Sequence, residues 1–290
     1  MYYNIKAYSD NGNMVNFSLA LGIVITDIVG LTETNVEMAT SQGVAQVGVT
    51  VQNEAVSGKA VVISGMVVGD STMYRKRLVD TFVPQVGVTL IFNNELELRV
   101  RPQVTPAIER AKMNAEFQFT CFAAYPYWRS IERANVVIGG MIPKFRFPIN
   151  YYEPITHKFG ERVQTFFVDA NNKGNVKAPF DVVFLAKTTV LNPKITKVDT
   201  LEFILIDREM VPNERVTVSM IGGAPRVFSL IGGVETEITG QFHIDSTPFE
   251  LDVGENYLRY DADVGRDNLE CTLILQPAFS GAYGTDDVSI

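Results

Sequence analysis

The residues whose types could support catalysis or metal binding are few and widely spaced. The chain has two histidines, His157 and His243, and contains no HxH, HExxH or CxxC spacing. A zinc-type site needs several such ligands together, so the sequence predicts no transition-metal site. His243 stands alone between two apolar residues, which is more typical of a packed or surface side chain than of a general base. We expect no metal and no cofactor.

The carboxylates are also poorly placed for chemistry. Asp261, Asp263 and Asp267 cluster in one turn, but this turn lacks the ligand spacing and closing glutamate of an EF-hand, which favours a solvated turn. Glu95 and Glu97 share one strand face without a cleft around them, so no acid–base pair is indicated. No serine lies in a nucleophile elbow. The sequence predicts no catalytic residue, and we expect that the protein is not an enzyme.

Composition is typical of a folded globular protein. The chain has 290 residues, of which 46% are hydrophobic and 20% are charged, which allows two domains or one large β domain. Its longest apolar runs are far shorter than the roughly 20 residues of a membrane span, and its first residues do not resemble a signal peptide. Cys121 and Cys271 lie in apolar strand patterns and are expected to be buried, reduced thiols.

The charge distribution argues against nucleic-acid binding. The formal net charge is −8, of which residues 1–130 carry −1 and residues 131–290 carry −7. Affinity for nucleic acid comes largely from Lys and Arg at phosphates, and this chain has no basic stripe. Its one cluster of consecutive basic residues is Arg75-Lys76-Arg77, and the simplest interpretation of this cluster is the solvated face of a helix.

Residues 1–130 predict a mainly β domain with one helix. A β-branched valine run over 44–51, an apolar strand over 60–68 and an alternating strand over 117–121 are indicated. Apolar segments at 90–92 and 96–100 predict a hairpin around a two-residue turn, Asn93-Asn94. Between them, Tyr74, Leu78 and Phe82 recur at helical spacing, and Pro84 ends the predicted helix.

The rest of the chain predicts a linker followed by a second β domain. Residues 131–160 are rich in glycine and proline and predict an extended linker. Residues 161–290 then predict a β-sandwich or jelly roll with strands about ten residues apart. The predicted strands of this domain are 163–168, 180–185, 201–206, 216–220, 228–230, 242–244 and 269–275.

The order of these motifs resembles that of the distal tail proteins of siphophages. In the first half, the strand 61–65 leads into the basic helix 74–78, then into Phe82-Val83-Pro84, a hairpin, the strand 117–121 and Pro126-Tyr127-Trp128. In the second half, the turns at 172–175, Asn192-Pro193, 246–249 and 251–256 and the closing segment 275–281 follow in the order of that family's second domain. The resemblance therefore covers nearly the whole chain.

The resemblance implies a fold and a function. The first domain would be a β-sandwich or split barrel that forms a ring, and the second would be a jelly-roll β-sandwich similar to galectins and carbohydrate-binding modules. It further implies a non-enzymatic virion protein, made in the host cytoplasm. Six copies would form a ring joining the tail tube to the tail-tip and host-adsorption apparatus. Its partners would be itself, the tail-tube protein, the tail-tip hub protein and a receptor-binding protein, without nucleic-acid binding or membrane insertion.

Two alternative functions remain at this point. A major tail-tube protein would also form hexameric rings, but it would stack them into long tubes. A carbohydrate-binding module is suggested by the lectin-like second domain, but the only tryptophan, Trp128, precedes that domain. Exposed tryptophan is the strongest platform for a sugar ring, so the sequence favours assembly over sugar binding.

Residue-level interface predictions centre on two groups and one loop. The candidate interface residues are Arg75, Lys76, Arg77, Tyr125, Tyr127 and Trp128. The three aromatic residues either fill the seam between the domains or are exposed anchors at a protein interface, where Tyr and Trp are enriched. The polar early loop, residues 32–40, is a further interface candidate because it adjoins strand edges that need cover.

Overall fold

A computed structural model describes residues 4–108, 113–143, 160–163, 167–221 and 224–282. These residues form one α-helix, α1 (Ser71–Thr81), and three 3-10 helices, Leu19–Leu21, Thr239–Gln241 and Arg266–Asn268. The described strands, in chain order, are β1 (Ile5–Ser9), β2 (Met14–Phe17), β3 (Ile23–Val29), β4 (Val36–Ser41), β5 (Thr50–Val56), β6 (Lys59–Asp70), β7 (Val88–Phe92), β8 (Leu96–Ile108), β9 (Met113–Ala123), β10 (Trp128–Ser130), β11 (Ala134–Pro143), β12 (Gly160–Val163), β13 (Phe167–Asn172), β14 (Phe180–Ala186), β15 (Val190–Lys197), β16 (Phe203–Leu205), β17 (Glu209–Met210), β18 (Arg215–Ser219), β19 (Arg226–Ile231), β20 (Val234–Glu237), β21 (Gly254–Val264), β22 (Leu269–Leu275) and β23 (Ala278–Phe279). The predicted mainly β class with one helix is confirmed.

The chain divides into two compact units, with bounds that differ from the predicted ranges. The first unit is Met1–Glu132 together with Ala278–Ile290, and the second is Arg133–Pro277. The chain returns to the first unit because β23 pairs with β10, Trp128 lying opposite Phe279. The predicted linker 131–160 contains β11, which pairs with β22, and its residues 144–159 lie outside the described part of the chain.

The first unit is built on a sheet that folds over itself along β8. Its strand order is β2-β1-β7-β8-β9-β6-β3, with β10 beside β8 and β23 beside β10. The first part of β8 pairs with β7, and the part from Arg101 onwards pairs with β9. Two register shifts, between Pro102 and Val104 and between Val104 and Ala107, interrupt this second ladder. Bulges of this kind bend a strand, which allows one strand to serve both layers of a sandwich.

Helix α1 closes the core of this unit. Leu78 and Phe82 are fully buried, and Tyr74 packs partly buried against the same core. The ring centroids of Phe82 and Phe119 lie 4.2 Å apart. The predicted helical spacing of these apolar residues is therefore confirmed. Among the described residues, no helix is long and apolar enough to cross a membrane.

The predicted β7–β8 hairpin is present with a longer loop. Phe92 pairs with Leu96, so the loop contains three residues, not the predicted two. Asn93 and Asn94 both have positive φ, 50° and 59°, a conformation that asparagine tolerates better than most residues.

The second unit contains a seven-stranded and a five-stranded sheet. The seven-stranded order is β12-β11-β22-β14-β18-β19-β20, and the other sheet has the order β13-β21-β15-β16 with β17 also beside β15. Alternate residues of β14 and β22 are buried, as expected for strands whose inner face covers a core. The predicted strand 242–244 is wrong: Phe242 follows a 3-10 helix and forms only an isolated bridge with Ile206.

Candidate assembly interface

Among the described elements of the first unit, the hairpin formed by β4 and β5 is the most exposed. The two strands form a separate two-stranded sheet, and every residue of both strands is exposed. An isolated hairpin of this kind is at best marginally stable in water, because its side chains have no layer to pack against. The hairpin therefore has the properties of an element that a second surface must cover.

The register of the hairpin separates an apolar face from a polar one. Val36 lies opposite Val56, Met38 opposite Glu54, and Thr40 opposite Val51. Directly paired residues share one face, so this face carries three valines, Met38, Thr40 and Glu54. The four apolar side chains of this face are between 43% and 57% exposed. The opposite face carries mainly small and polar residues, namely Glu37, Ala39, Ser41, Thr50, Asn53 and Ala55.

The structure corrects two sequence predictions in this segment. The valine run 44–51 is not one strand, because Val44 and Val47 lie in the hairpin loop and are fully exposed. Ala45 and Gly48 have positive φ in that loop, 63° and 84°, which is incompatible with an extended strand. The polar loop predicted over 32–40 is strand from Val36 onwards.

The base of the hairpin is held by Trp128 and the C-terminal segment of the first unit. Trp128 Nε1 donates a hydrogen bond to the backbone oxygen of Leu31 at 2.9 Å. The Ala282 backbone N–H donates to the same oxygen at 3.2 Å, and the Thr34 hydroxyl donates to the Ser280 backbone oxygen at 3.0 Å. These bonds fix the position from which the hairpin leaves the sheet.

The buried side chain of Lys59 lies beside Trp128, at the base of the hairpin. Glu33 Oε2 accepts a hydrogen bond from the Gly30 backbone N–H at 2.7 Å. Lys59, only 2% exposed, places its ammonium 5.7 Å from the centroid of a Trp128 ring. Burial lowers the pKa of Lys59 from 10.5 to about 8, and the nearby Glu33 carboxylate opposes this shift.

The predicted basic residues lie on α1, at the other end of the first unit's strand β6. Arg75 is half-buried, whereas Lys76 and Arg77 are exposed. Lys76 and Arg77 line a groove with Asn13, Met14 and Asp80. Because β6 begins at Lys59 beside Trp128 and ends at Asp70 beside α1, the structure does not bring the basic and aromatic candidates together.

The three aromatic candidates differ in exposure. Trp128 is 1% exposed and packs against Phe92 at a centroid distance of 6.0 Å. The prediction that Trp128 is an exposed interface anchor therefore does not hold. Tyr125 and Tyr127 are half-buried and stack edge to face, with centroids 5.4 Å apart. The partners described for Trp128 all belong to the first unit. Its role at a seam between the units stays a prediction.

The residues first considered for chemistry have the following neighbours. Asp261 pairs with Arg259 at 2.8 Å, and Asp263 accepts a hydrogen bond from Asn192 at 2.8 Å. His243 lies 3.9 Å from the carboxylate of Asp207. His157 lies outside the described residues. In the described part of the chain, no group of three or more His, Cys, Asp or Glu is placed to hold a metal ion.

Both cysteines are free and buried, as the sequence predicts. Burial raises the pKa of Cys121 to about 12 and also raises that of Cys271. Neither thiol is therefore available as a thiolate near neutral pH.

Comparison with solved structures identifies the fold. No protein-family model matches the chain, and no curated protein matches it. The chain is similar to the Dit protein of phage SPP1, described as a paradigm of the hub adsorption apparatus in phages that infect Gram-positive bacteria. The two share 12% identity with a TM-score of 0.63, over 95% of this chain and 99% of that one.

Two chains from phage P2 baseplates in the activated conformation are also similar. The first, from the baseplate with Ca, has 10% identity and a TM-score of 0.55 over 96% of this chain and 98% of that one. The second, from the baseplate with Sr, has 9% identity and a TM-score of 0.55 over 94% and 97%. The fold implied by the sequence resemblance is confirmed: this chain has the β-sandwich fold of the SPP1 Dit protein over nearly its whole length.

Proposed function

We propose that this chain is a structural protein of a siphophage tail tip, and that six copies form a ring joining the tail tube to the host-adsorption apparatus. One observation carries the proposal: the likeness to the SPP1 Dit protein extends over 95% of this chain and 99% of that one. Because a likeness of fold does not by itself establish a function, the proposal also needs a surface suited to assembly.

The β4–β5 hairpin is such a surface. In a single copy, its apolar face of Val36, Met38, Val51 and Val56 lies in water. A head-to-tail contact repeated by about 60° per copy closes a ring of six and leaves no copy with an unmatched surface. The hairpin would then be covered in every copy of the ring, which favours a closed assembly over free monomers.

The remaining partners are assigned on the same basis. We place the first unit in the ring, in contact with the tail-tube protein and the tail-tip hub protein. The second unit would lie outside the ring and bind receptor-binding proteins. DNA passing through the ring would meet no strongly basic lining, and the protein would act by geometry, not by catalysis. These assignments locate the protein in the virion tail.

The oligomeric state tests the proposal. Light scattering coupled to size-exclusion chromatography should give a mass near six protomers of 32.2 kDa, and negative-stain microscopy should show closed rings. Long tubes would indicate a tail-tube protein. A single protomer that is retained on a polysaccharide column would indicate a carbohydrate-binding module.

Substitutions in the β4–β5 hairpin test whether its apolar face is the surface that forms the ring. Met38→Ser combined with Val51→Ser makes the apolar face polar and should abolish rings while the monomer stays folded. The matched control, Ala39→Ser with Thr50→Ser, changes the opposite face and should leave rings intact. Loss of rings in the control alone would contradict the assignment of the apolar face.

A further inference from the structure

Two uncovered surfaces of the first unit lie at opposite ends of one strand. The hairpin joins β6 at Lys59, and α1 follows β6 after Asp70. β6 has 12 residues, so at about 3.3 Å per residue the two surfaces are separated by ~36 Å. A head-to-tail contact between identical copies requires two different surfaces of this kind, because one surface of each copy binds the other surface of the next copy.

The surface at α1 is a basic groove whose lining includes one apolar residue, Met14. Met14 is 55% exposed and lines the groove with the exposed side chains of Lys76 and Arg77. Asn13 binds the backbone oxygen of Asp80 at 3.0 Å, which joins the β1–β2 turn to the helix. The groove carries two basic side chains and one acidic one, Asp80, so its net charge is positive. Among the described residues, neither Lys76 nor Arg77 has an ion-pair partner.

The hairpin has the complementary composition. Residues 36–57 contain Glu37 and Glu54 and no lysine or arginine. Glu54 lies on the apolar face, directly opposite Met38, and within the described chain its carboxylate has no ion-pair partner. Glu37 lies on the other face, where it accepts a hydrogen bond from the Ser57 hydroxyl at 2.7 Å. One face of the hairpin thus combines apolar side chains with a single free carboxylate.

We propose that the apolar face of the hairpin binds the Met14–Lys76–Arg77 groove of a second copy, with Glu54 paired to Lys76 and Arg77. This inference rests on the proposed function and adds the residues on both sides of the contact. The hairpin does not occupy its own groove, because it is exposed along its whole length. Apolar contact with Met14 supplies affinity, and the charge pairing selects this groove over surfaces that carry no basic side chain.

Charge exchange between copies tests the contact. Glu54→Lys reverses the charge on the hairpin, and Lys76→Glu with Arg77→Glu reverses the groove. Each variant alone should lose rings, whereas an equal mixture of the two should recover them, because each hairpin then meets a groove of opposite charge. A chain that carries all three changes should also form rings. Glu37→Lys is the matched control, since it makes the same change on the opposite face and should form rings as the wild type does.

A disulfide tests the same contact without changing charge. Met38→Cys and Met14→Cys in one chain should give, under oxidation, a ladder of linked copies on a non-reducing gel, up to six. Cys121 and Cys271 do not interfere because both are buried with raised pKa values. A single variant with only Met38→Cys should give no ladder beyond a dimer.

The outcomes separate this inference from the proposed function. If the wild type forms rings, and Glu54→Lys and the groove variant each form them too, the inference is overturned and the ring proposal stands. Rings lost in both variants and not recovered on mixing would also overturn it. A wild type that stays at the mass of one protomer at all concentrations would overturn the proposed function and this inference with it.

Discussion

The indole Nε1 of Trp128 donates a hydrogen bond to the backbone oxygen of Leu31 across 2.9 Å. Trp128 is buried in the core of the first unit, and Leu31 belongs to the segment that leads into the β4–β5 hairpin. The core is therefore joined directly to the base of the element that we assign to assembly.

Trp128→Phe should loosen the hairpin base while leaving the core largely filled. The substitution removes one of the two hydrogen bonds that the Leu31 oxygen accepts and leaves only the one from the Ala282 backbone N–H. This loss, together with the smaller ring, should cost roughly 1–3 kcal/mol of stability. Hydrogen exchange should accelerate in residues 31–57, and chemical unfolding followed by circular dichroism should shift to lower denaturant.

The control for this change is Tyr257→Phe, an exposed aromatic residue of the second unit that pairs with Glu255 at 3.2 Å. It should leave exchange in residues 31–57 unchanged. Unaltered exchange there in Trp128→Phe would show that the indole does not hold the hairpin base.

Gly30→Ala should be far more damaging than Gly12→Ala, although both glycines have positive φ, 89° and 87°. A Cβ at Gly30 would lie 2.3 Å from the backbone oxygen of Ala60, whereas a Cβ at Gly12 meets nothing within 4 Å. The Gly12 change should cost about 1 kcal/mol through backbone strain alone.

The Gly30 change must also move β6 or the segment before the hairpin, so we expect a loss of several times the Gly12 value. Tryptophan fluorescence suits this measurement, because Trp128 is the only tryptophan and lies beside the altered segment. Equal destabilisation by the two changes would contradict the contact geometry at Gly30.

Local signals in the sequence predicted the elements that depend on local residues. The Asn93-Asn94 pair indicated the β7–β8 hairpin, and the spacing of Leu78 and Phe82 indicated α1. Strand β15 was not predicted, because Asn192, at a φ of 55°, and Pro193 interrupt its alternation. Its pairing with β21, about 60 residues later, stabilises it in spite of these residues.

The assembly surface could be predicted only in part. The basic residues of α1 stand out in the sequence, and the structure leaves Lys76 and Arg77 exposed. The apolar face of the hairpin did not stand out, since it depends on the register that places Met38 opposite Glu54. The only sequence signal for this apolar face was that residues 36–57 contain many valines and no lysine or arginine. The pairing of β23 with β10 is a contact over about 150 residues, which no local pattern reports.

Lys59 should make the first unit more stable as the pH rises above 8. Its folded pKa of about 8 lies below the ordinary value of 10.5, so between these values the unfolded chain binds more protons than the folded one. The free energy of unfolding should therefore increase from pH 8 to about pH 10, and below pH 8 the charged lysine imposes a constant penalty. Lys59→Met should remove that penalty and stabilise the unit by about 1–3 kcal/mol at pH 7.

The difference between Lys59→Met and the wild type should shrink as the pH approaches 10, measured by fluorescence-detected unfolding in urea. Lys6→Met is the control, because Lys6 is partly exposed and hydrogen-bonded to Asn94 at 2.7 Å. It should show no such pH-dependent gain. A Lys59→Met protein that is less stable than the wild type at pH 7 would mean that the Trp128 ring and Glu33 outweigh the burial of the ammonium.

Glu214→Gln should strongly destabilise the second unit. Glu214 is fully buried; it pairs with Arg208 and accepts a hydrogen bond from the Ser229 hydroxyl at 2.6 Å and another from the Val211 backbone N–H at 2.9 Å. Glutamine keeps the size of the side chain but leaves the largely buried Arg208 guanidinium without a counter-charge. Breaking a buried ion pair from one side costs roughly 3–5 kcal/mol.

The same substitution at Glu237 provides the contrast. Glu237 also pairs with an arginine, Arg226 at 2.9 Å, but both side chains are about half exposed, and water and salt screen the pair. Glu237→Gln should therefore change stability little, whereas Glu214→Gln should accelerate hydrogen exchange throughout β18 and β19. Calorimetry at low and high salt separates the two further, because only the exposed pair should respond to ionic strength. Similar losses for the two variants would show that the burial of Glu214 does not set the strength of its ion pair.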